Sequence, residues 1–383
     1  MYADPLSSTL FSRRRFDVCI VDEASQITLP TCLGPLRFAD TFVLVGDHNQ
    51  LPPLVRSPQA RKGGLDISLF RILSEAHPDA VVELGLQYRM NEDIMRVSNE
   101  LVYQGRLKCG NEEVAKRRLV LKEKKALGPF HSTSTQCSGI NKCWLKDLVD
   151  PTRRVVFVDT DFVPSKESRI GDLVQNEVEA QLVAQLVKAL ILGGVEESQI
   201  GIISLYRQQI KLLSHLIEPH KGVETLTADR SQGRDKDCII ISMCRSNDTN
   251  SIGDLLKDWR RLNVSFTRAR SKLVIFGSRK TLSSSPLLGD FFELMERQSW
   301  IYQLPPSANV SHESGSGTGN RGMKRKRGET MLEEEDKENS VPLSRPSPRK
   351  KPRLESSKAG VGAGALLRGR EMLRDVVMDL QML

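Results

Sequence analysis

The chain has 383 residues, of which 39% are hydrophobic, and its formal net charge is +8. This length allows two or three folded domains with real cores, and no apolar run is long enough to cross a bilayer. The N-terminus also lacks the pattern of a secretory signal. The seven cysteines are odd in number and include no Cys-x-x-Cys pair, which indicates reduced thiols in an intracellular protein.

The first predicted strand, Val18 to Val21, ends in two adjacent carboxylates, Asp22 and Glu23. Its uninterrupted apolar run is typical of a strand buried on both faces of a parallel sheet. Ligands of open α/β sheets bind outside the carboxyl ends of such strands. The two acids fit a nucleotide-bound magnesium ion, with Asp22 holding the ion through water and Glu23 polarising the attacking water. A strand that runs into a solvated turn is the alternative.

A second predicted strand, Thr41 to Val45, ends in the polar sequence Gly46-Asp47-His48-Asn49-Gln50. Two parallel strands therefore present polar side chains at one edge of a sheet. Helical spacing of apolar residues then predicts a helix over Leu65 to Glu75. The chain returns to the sheet at Val81 to Leu84, and another helix is predicted over Asn91 to Val102.

The stretch from Gln104 to Pro151 is less regular, with charge clusters and a loop rich in Ser, Thr and Gln. We interpret it as a charged, solvated excursion, and a contribution to binding a DNA backbone is the alternative. Cys137 and Cys143 in this stretch are candidate metal ligands, although reduced core thiols are the favoured interpretation of the cysteines.

Regular alternation of strands and helices follows. Strands are predicted at Val155–Val158, Ile200–Ser204, Val223–Thr227, Cys238–Met243 and Leu273–Phe276, and helices at Asn176–Leu192 and Arg207–Ile217. This order predicts a parallel, doubly wound sheet whose connections leave the loop ends on one edge. A loop and helix from Trp259 to Arg270 carry four arginines.

After about Leu304 the sequence is rich in Ser, Gly, Pro and charge and has almost no aromatic residues, which is typical of disorder. The basic clusters at Lys324–Arg327 and Arg349–Arg353 indicate nuclear localisation or nucleic-acid binding. Ser347-Pro348 resembles a proline-directed phosphorylation site. A short helix for docking a partner is predicted over Leu366 to Leu383.

Five short motifs occur in a fixed order along the chain. They are Asp22-Glu23-Ala24-Ser25-Gln26, Gly46-Asp47-His48-Asn49-Gln50-Leu51-Pro52-Pro53, Gln87-Tyr88-Arg89-Met90, Gln232-Gly233-Arg234-Asp235 and Arg261-Leu262-Asn263-Val264-Ser265-Phe266-Thr267-Arg268-Ala269-Arg270. These resemble motifs II to VI of the superfamily 1B helicases. The closest resemblance is to the eukaryotic replication helicase/nucleases that trim Okazaki flaps and resect DNA ends. The sequence from Leu256 to Val264 favours these over RNA-handling relatives, and the resemblance covers Phe11 to Gly277.

The resemblance implies roles for five side chains in ATP hydrolysis. It assigns magnesium binding to Asp22, activation of water to Glu23 and sensing of the γ-phosphate to Gln50. Arg89 and Arg268 correspond to two arginine fingers, a role that suits guanidinium because it forks onto phosphate oxygens and stays charged.

The resemblance also implies contacts to the nucleotide and to nucleic acid. Tyr88 would stack on adenine, with a core tyrosine as the alternative, and Asp235 would hydrogen-bond the ribose. Gly233 would permit a close approach of the backbone, and Thr227 would contact a nucleic-acid phosphate. Relatives usually carry an aromatic residue at the position of Ser231, so the local packing differs here.

A nucleotide site of the RecA type needs a loop of the form G-x-x-x-x-G-K-[ST], and none occurs in this sequence. The family's nuclease domain, with its iron–sulfur cysteines, would also lie upstream. We therefore expect the chain to be the C-terminal part of a larger protein. Because positioning supplies most of phosphoryl-transfer catalysis, we expect the chain alone to show no DNA-stimulated ATP hydrolysis. Half of the first sheet would also be missing, so we expect Val18 to Val21 and Phe42 to Val45 to lose neighbours and the chain alone to be poorly soluble.

The predicted fold is α/β, of the P-loop NTPase type with RecA-like domains. Residues 1–95 would be the C-terminal half of a first RecA-like domain, residues 96–303 a second one, and residues 304–383 a disordered basic tail. The resemblance implies an ATP-dependent DNA helicase with ATP and Mg²⁺ as cofactors. It implies single-stranded DNA, a single-stranded-DNA-binding protein and other replication or repair factors as partners, in the nucleus and also the mitochondrion. A catalytically silent nucleic-acid-binding fragment and an RNA helicase of the same superfamily are the alternatives.

Overall fold

The structure, a computed structural model, describes residues 14–123, 143–171, 173–310 and residue 312. They lie within the unit that spans residues 1–316. The predictions for both basic clusters, the phosphorylation site, the terminal helix, Cys137 and the Ser/Thr/Gln-rich loop lie outside the described residues. Among the described helices, none combines the length and apolar character needed to cross a membrane.

The described elements alternate along most of the chain. The strands are β1 Phe16–Val21, β2 Ala39–Leu44, β3 Leu86–Gln87, β4 Lys108–Cys109, β5 Val155–Asp159, β6 Ser168–Ile170, β7 Leu173–Gln175, β8 Ile200–Ser204, β9 Glu224–Thr227, β10 Lys236–Ser242, β11 Ala269–Gly277 and β12 Ile301–Gln303. The helices are α1 Leu29–Leu36, α2 Pro58–Lys62, α3 Leu69–Ala76, α4 Glu92–Leu101, α5 Glu112–Lys116, α6 Trp144–Val149, α7 Glu177–Leu192, α8 Arg207–Leu216, α9 Asp254–Lys257, α10 Trp259–Phe266, α11 Arg279–Leu282 and α12 Pro286–Arg297.

Six parallel strands form the main sheet, in the order β12-β5-β11-β10-β8-β9. Alternate side chains of each strand enter different cores: Val156 faces α6, α7 and α8, whereas Phe157 faces α4, α10 and α12. Because both faces are covered, β5 and β8 are buried along their whole length. This arrangement confirms the α/β prediction, and the predicted helices over residues 91–102, 176–192 and 207–217 are present with ends shifted by at most one residue.

The two-stranded parallel sheet of β1 and β2 differs from the prediction. One face packs on α1 and α3 around Val21 and Cys32. The other face is open, with Val18 51% and Ile20 69% exposed. The prediction of burial on both faces is therefore wrong in this structure, because no described element packs on that side. The loss of neighbours that we expected for these strands agrees with this exposure.

Two predicted elements before residue 90 differ from the elements in the structure. The helix predicted from Leu65 begins at Leu69, because the Ser68 hydroxyl caps it by accepting a hydrogen bond from the Arg71 N–H at 3.2 Å. Val81 to Leu84 is not a strand: these residues pair with no strand that the structure describes, and Val82 is 84% exposed. Pairing begins two residues later, where β3 joins β4.

The interpretation of residues 104–151 as a solvated excursion is wrong at its C-terminal end. Trp144, Leu145 and Leu148 of α6 are fully buried in the core. The strand β12 was also not predicted, and Leu304 and Ala308 beyond it are buried although the sequence assigns them to the tail. Of the described cysteines, Cys19, Cys32, Cys109, Cys238 and Cys244 are free thiols, as predicted.

Candidate active site

Asp22 and Glu23 lie where β1 ends, and both are exposed. Asp22 Oδ1 accepts a hydrogen bond from the Glu23 N–H at 2.8 Å, and Glu23 Oε2 accepts one from Gln26 Nε2 at 2.6 Å. Glu23 has a left-handed backbone with φ of 52°, which is uncommon for a residue with a side chain. The tight turn therefore fixes both carboxylates at the carboxyl edge of the small sheet.

The loop after β2 is organised around the Asp47 carboxylate. Its Oδ1 accepts a hydrogen bond from the Asn49 N–H at 2.8 Å, and its Oδ2 accepts one from Gln50 Nε2 at 3.0 Å. A Cβ atom at Gly46 would lie 2.9 Å from the Ser25 backbone nitrogen, so only glycine allows this approach. The segments that resemble motifs II and III are thereby packed together at one edge.

The two predicted arginine fingers share the carboxylate of Asp235. Arg89 Nε lies 2.6 Å from its Oδ2, and Arg268 Nη1 lies 3.1 Å from its Oδ1. The Arg89 side chain is 39% exposed, whereas that of Arg268 is 3% exposed. Burial, with repulsion from Arg89, lowers the pKa of Arg268 to about 10, and the charges of Asp235 and Glu23 oppose this shift. One acid thus holds two cations that would otherwise repel each other.

Three hydrogen bonds join the loops after β1 and β2 to residues more than two hundred positions later in the chain. Gln232 Nε2 donates to Glu23 Oε2 at 3.3 Å. In the helix α10, Arg260 Nε donates to the His48 carbonyl at 3.3 Å, and Asn263 Nδ2 donates to the Asn49 carbonyl at 3.1 Å. The structure therefore brings Glu23 and the Gln50 loop close to the segments that carry Asp235 and the arginines. No such bridging contact is described for Asp22.

Tyr88 is 59% exposed, so the alternative of a core tyrosine is wrong. Its ring lies directly on the backbone of Gly110, where an added Cβ would come within 2.1 Å of the ring carbon Cε1. Gln87 shapes the loop, because its Oε1 accepts hydrogen bonds from the N–H groups of Arg89 and Met90 at 3.0 and 2.8 Å. The loop thus carries an exposed aromatic ring at Tyr88 and, at the next residue, the guanidinium that pairs with Asp235.

The last residue of β9 and the loop that follows it contain the remaining predicted residues. Thr227 ends this strand, and Gly233 has φ of +71° with no heavy atom within 4 Å of an added Cβ. The left-handed backbone favours glycine there. Ser231, where the resemblance leads us to expect an aromatic residue, is fully buried and donates a hydrogen bond to the Ala228 carbonyl at 2.8 Å. A small residue thus closes this turn.

Sequence reasoning missed Tyr103, which connects the loop of Asp47 to α10. Its hydroxyl donates to Asp47 Oδ2 at 2.6 Å and accepts from Asn263 Nδ2 at 3.0 Å. Asp47 and Asn263 lie in the quoted motifs, but Tyr103 lies between motifs in a stretch without a local pattern. Only the three-dimensional arrangement indicates its position.

No cluster of three or more His, Cys, Asp or Glu side chains that is able to hold a metal ion occurs in the described part of the chain. Magnesium at nucleotide sites is commonly held by one or two carboxylates together with the substrate phosphates. The exposed Asp22 fits such a minimal donor set, and its role as a magnesium ligand stays a prediction.

Comparison with known proteins first defines the class. Two family models, both described as AAA domain, match residues 5–58 and 65–280. The second alone covers more than half of the chain, and the chain therefore belongs to the AAA-domain family.

Within this class the similarity is to replication helicase/nucleases. The chain is 47% identical over 296 residues to the DNA replication ATP-dependent helicase/nuclease dna2 of Schizosaccharomyces pombe, covering 77% of the chain and 21% of that protein. It is 50% identical over 303 residues to the helicase/nuclease JHS1 of Arabidopsis thaliana, covering 79% and 22%. It is 43% identical over 313 residues to the human helicase/nuclease, covering 81% and 29%. The resemblance predicted from the motifs is confirmed, and the chain spans between a fifth and a third of these relatives.

Proposed function

We propose that the chain is the motor portion of an ATP-dependent DNA helicase that moves along single-stranded DNA during replication and repair in the nucleus. The contact between Glu23 and Gln232, three residues before Asp235, carries the proposal. It supports a single cleft in which the predicted base faces the predicted arginine fingers. The names of the relatives support ATP dependence and a DNA substrate.

The residues present fit ATP with Mg²⁺. Exposed acids at a strand end suit a magnesium ion, and two guanidiniums suit phosphate oxygens. The exposed face of the Tyr88 ring suits adenine. When bound, ATP supplies the γ-phosphoryl group that water attacks.

Each side chain then has a separate task. Asp22 would hold the magnesium ion through water, and Glu23 orients a water molecule and accepts its proton. Gln50 senses the γ-phosphate through a hydrogen bond, while Arg89 and Arg268 neutralise the negative charge that develops on the phosphate oxygens. Because Asp235 already binds both guanidiniums, they stay ordered before the nucleotide arrives. This preorganisation lowers the cost of bringing them to the transition state.

The DNA strand is assigned to the segment after β9. Thr227 at the strand end contacts a DNA phosphate, and the open backbone at Gly233 permits close approach of the nucleotide. The basic clusters at residues 324–327 and 349–353 direct the protein to the nucleus. The family resemblance supports three further parts of the proposal. They are a mitochondrial location in addition to the nucleus, a partner that binds single-stranded DNA, and an iron–sulfur cluster in the nuclease domain of the family.

The test is a chimera in which this chain replaces the matching 21% of the S. pombe relative. We expect ATP turnover that rises when single-stranded DNA is added and rises less with RNA of the same sequence. Equal stimulation by RNA would favour an RNA helicase. A folded chimera that binds DNA without turnover would favour a catalytically silent binding module. The chain alone is the comparison, for which we expect no turnover.

A further inference from the structure

Tyr103 is a largely buried phenol two residues beyond the end of α4, and the catalytic proposal does not use it. Burial raises the pKa of its hydroxyl far above the usual range, and the adjacent Asp47 carboxylate adds to this shift. The group therefore keeps its proton at any physiological pH. A neutral phenol can donate one hydrogen bond and accept another at the same time.

Both of these hydrogen bonds are made, and they point to different functional segments. The hydroxyl donates to Asp47 Oδ2 at 2.6 Å, and the same oxygen accepts from Gln50 Nε2 at 3.0 Å. On its other side the hydroxyl accepts from Asn263 Nδ2 at 3.0 Å. The phenol thus lies between the predicted γ-phosphate sensor and the helix α10.

The contacts continue from Asn263 to the buried arginine. The backbone carbonyl of Asn263 accepts a hydrogen bond from Thr267 Oγ1 at 2.9 Å. That hydroxyl oxygen in turn accepts one from Arg268 Nη2 at 3.1 Å. Arg89 Nη1 lies 3.4 Å from the Thr267 carbonyl. Polar contacts, joined by the covalent structure of Asn263 and Thr267, therefore connect Gln50 to both arginines.

We propose that Tyr103 is a positioning residue that couples the Gln50 loop to α10 and Arg268 through its single hydroxyl group. The proposal rests on the proposed function, because it assigns the coupling between two parts of the same cleft. When Gln50 Nε2 leaves Asp47 Oδ2 for another acceptor, that oxygen loses one of its donors. The hydrogen bond from Tyr103 to Asp47 then becomes stronger. This change moves the Tyr103 hydroxyl and so alters its hydrogen bond with Asn263 on α10.

A matched tyrosine separates coupling from simple stabilisation. Tyr302 also donates its hydroxyl to an aspartate, Asp147 Oδ2, at 3.0 Å, and burial raises its pKa above the usual range. It lies on β12 and is not part of the series of contacts from Gln50. Tyr302→Phe therefore removes the same kind of hydrogen bond without interrupting the proposed coupling.

The experiment uses the chain fused to a soluble carrier protein that lacks tryptophan, labelled with 5-fluorotryptophan and observed by fluorine NMR. Trp259 begins α10 beside Arg260, whose guanidinium lies 4.8 Å from its ring, and its resonance is assigned from Trp259→Phe. The perturbation is Gln50→Ala, introduced into the native, Tyr103→Phe and Tyr302→Phe backgrounds. The resonances of Trp144 and Trp300 report whether each variant is folded.

We expect Gln50→Ala to shift the Trp259 resonance in the native and Tyr302→Phe backgrounds, and the shift to be at least halved in Tyr103→Phe, where the direct bonds of Arg260 and Asn263 to the loop remain. Asn263→Ala removes the bond to Tyr103 together with the direct bond to the Asn49 carbonyl and should reduce the shift at least as far. An undiminished shift in Asn263→Ala would therefore also overturn the coupling, which covers the case in which Tyr103→Phe does not fold. An equal shift in the native and Tyr103→Phe backgrounds, or no shift in the native chain, would overturn the coupling. No nucleotide is present, so this result is independent of ATP turnover in the chimera, which tests the proposed function.

Discussion

Glu23 Oε2 accepts a hydrogen bond from Gln232 Nε2 at 3.3 Å, although the two residues are 209 positions apart in the chain. Gln232 precedes Asp235 by three residues, and Asp235 binds Arg89 and Arg268. The predicted catalytic base and both predicted arginine fingers are therefore linked through one short segment. This arrangement makes the loop after β9 the part of the cleft whose disturbance should affect the most functional groups.

The shared carboxylate gives the first prediction. Asp235→Asn leaves Arg268, whose side chain is 3% exposed, without its compensating charge. Removing one partner of a buried ion pair should lower the free energy of unfolding by about 3 kcal/mol. The pKa of Arg268, already lowered to about 10, should fall further because Asp235 is one of the charges that raise it. Urea unfolding measures the loss of stability.

Asp254→Asn is the matched control, because Asp254 pairs with Lys257 in an exposed position. Exposed pairs contribute little, so this variant should unfold like the native chain. Equal stability of both variants would show that the Asp235 carboxylate does not hold the arginines together.

Tyr88 and Gly110 give the second prediction. In Gly110→Ala the new methyl group must displace the ring, since an added Cβ would lie 2.1 Å from Tyr88 Cε1. If the ring stacks on adenine, binding of a fluorescent ATP analogue to the chimera should weaken about as much as in Tyr88→Ala, roughly 1 kcal/mol or fivefold. Gly289→Ala is the control, because nothing lies within 4 Å of that position. Unchanged binding in Gly110→Ala would count against the stacking role.

The third prediction concerns Glu179, a fully buried carboxyl on α7. Its Oε1 accepts hydrogen bonds from Ser242 Oγ at 2.5 Å and the Cys244 N–H at 2.9 Å, and Oε2 has no partner among the described residues. Burial raises its pKa from 4.5 to about 7. The folded state thus binds the extra proton between these values, so the contribution of Glu179 to stability should be highest below pH 4.5 and fall as pH rises to about 7.

This contribution is of the order of 3 kcal/mol, since one pKa unit corresponds to about 1.4 kcal/mol. Glu179→Gln should remove that part of the pH dependence, measured by urea unfolding at a series of pH values. Glu177→Gln, on the exposed side of the same helix, should keep it. If the slope persists in Glu179→Gln, the raised pKa belongs to another group.

The main sheet was accessible to sequence reasoning because its strands are short apolar runs separated by helices with clear periodicity. Residues 200–204 illustrate this, since each side chain of β8 is buried as the pattern predicts. The pattern failed at Val18 and Ile20, where an equally apolar run is exposed. Local hydrophobicity reports what a strand is able to bury, whereas actual burial depends on which other segments pack against it.

The site was only partly predictable for a similar reason. Motif spacing singled out Glu23, Gln50 and Arg89 as candidates, because each follows a strand. It did not indicate that Asp235 binds both arginines or that Tyr103 joins two loops, since these contacts depend on long-range packing. Ion pairs and hydrogen bonds between distant segments leave no periodic signal in a single sequence.

The fourth prediction concerns the basic tail sequence. Residues 321–353 contain two basic clusters separated by an acidic stretch. Fused to a neutral fluorescent reporter, this segment should direct the reporter into the nucleus, as measured by microscopy. Replacing the basic residues of both clusters by alanine should leave the reporter in the cytoplasm. A reporter that stays cytoplasmic with the native clusters would refute the localisation signal.

The role of Glu23 as the base that activates water is tested most directly by ATP turnover of the chimera carrying Glu23→Gln. Glutamine keeps the size of the side chain and its contact with Gln232 but does not accept a proton. Turnover with single-stranded DNA should fall by about 10²-fold or more, while binding of the ATP analogue is retained. Glu75→Gln, which alters an exposed carboxylate paired with Arg71, should leave turnover unchanged. Full DNA-stimulated turnover in Glu23→Gln would contradict the proposed active site.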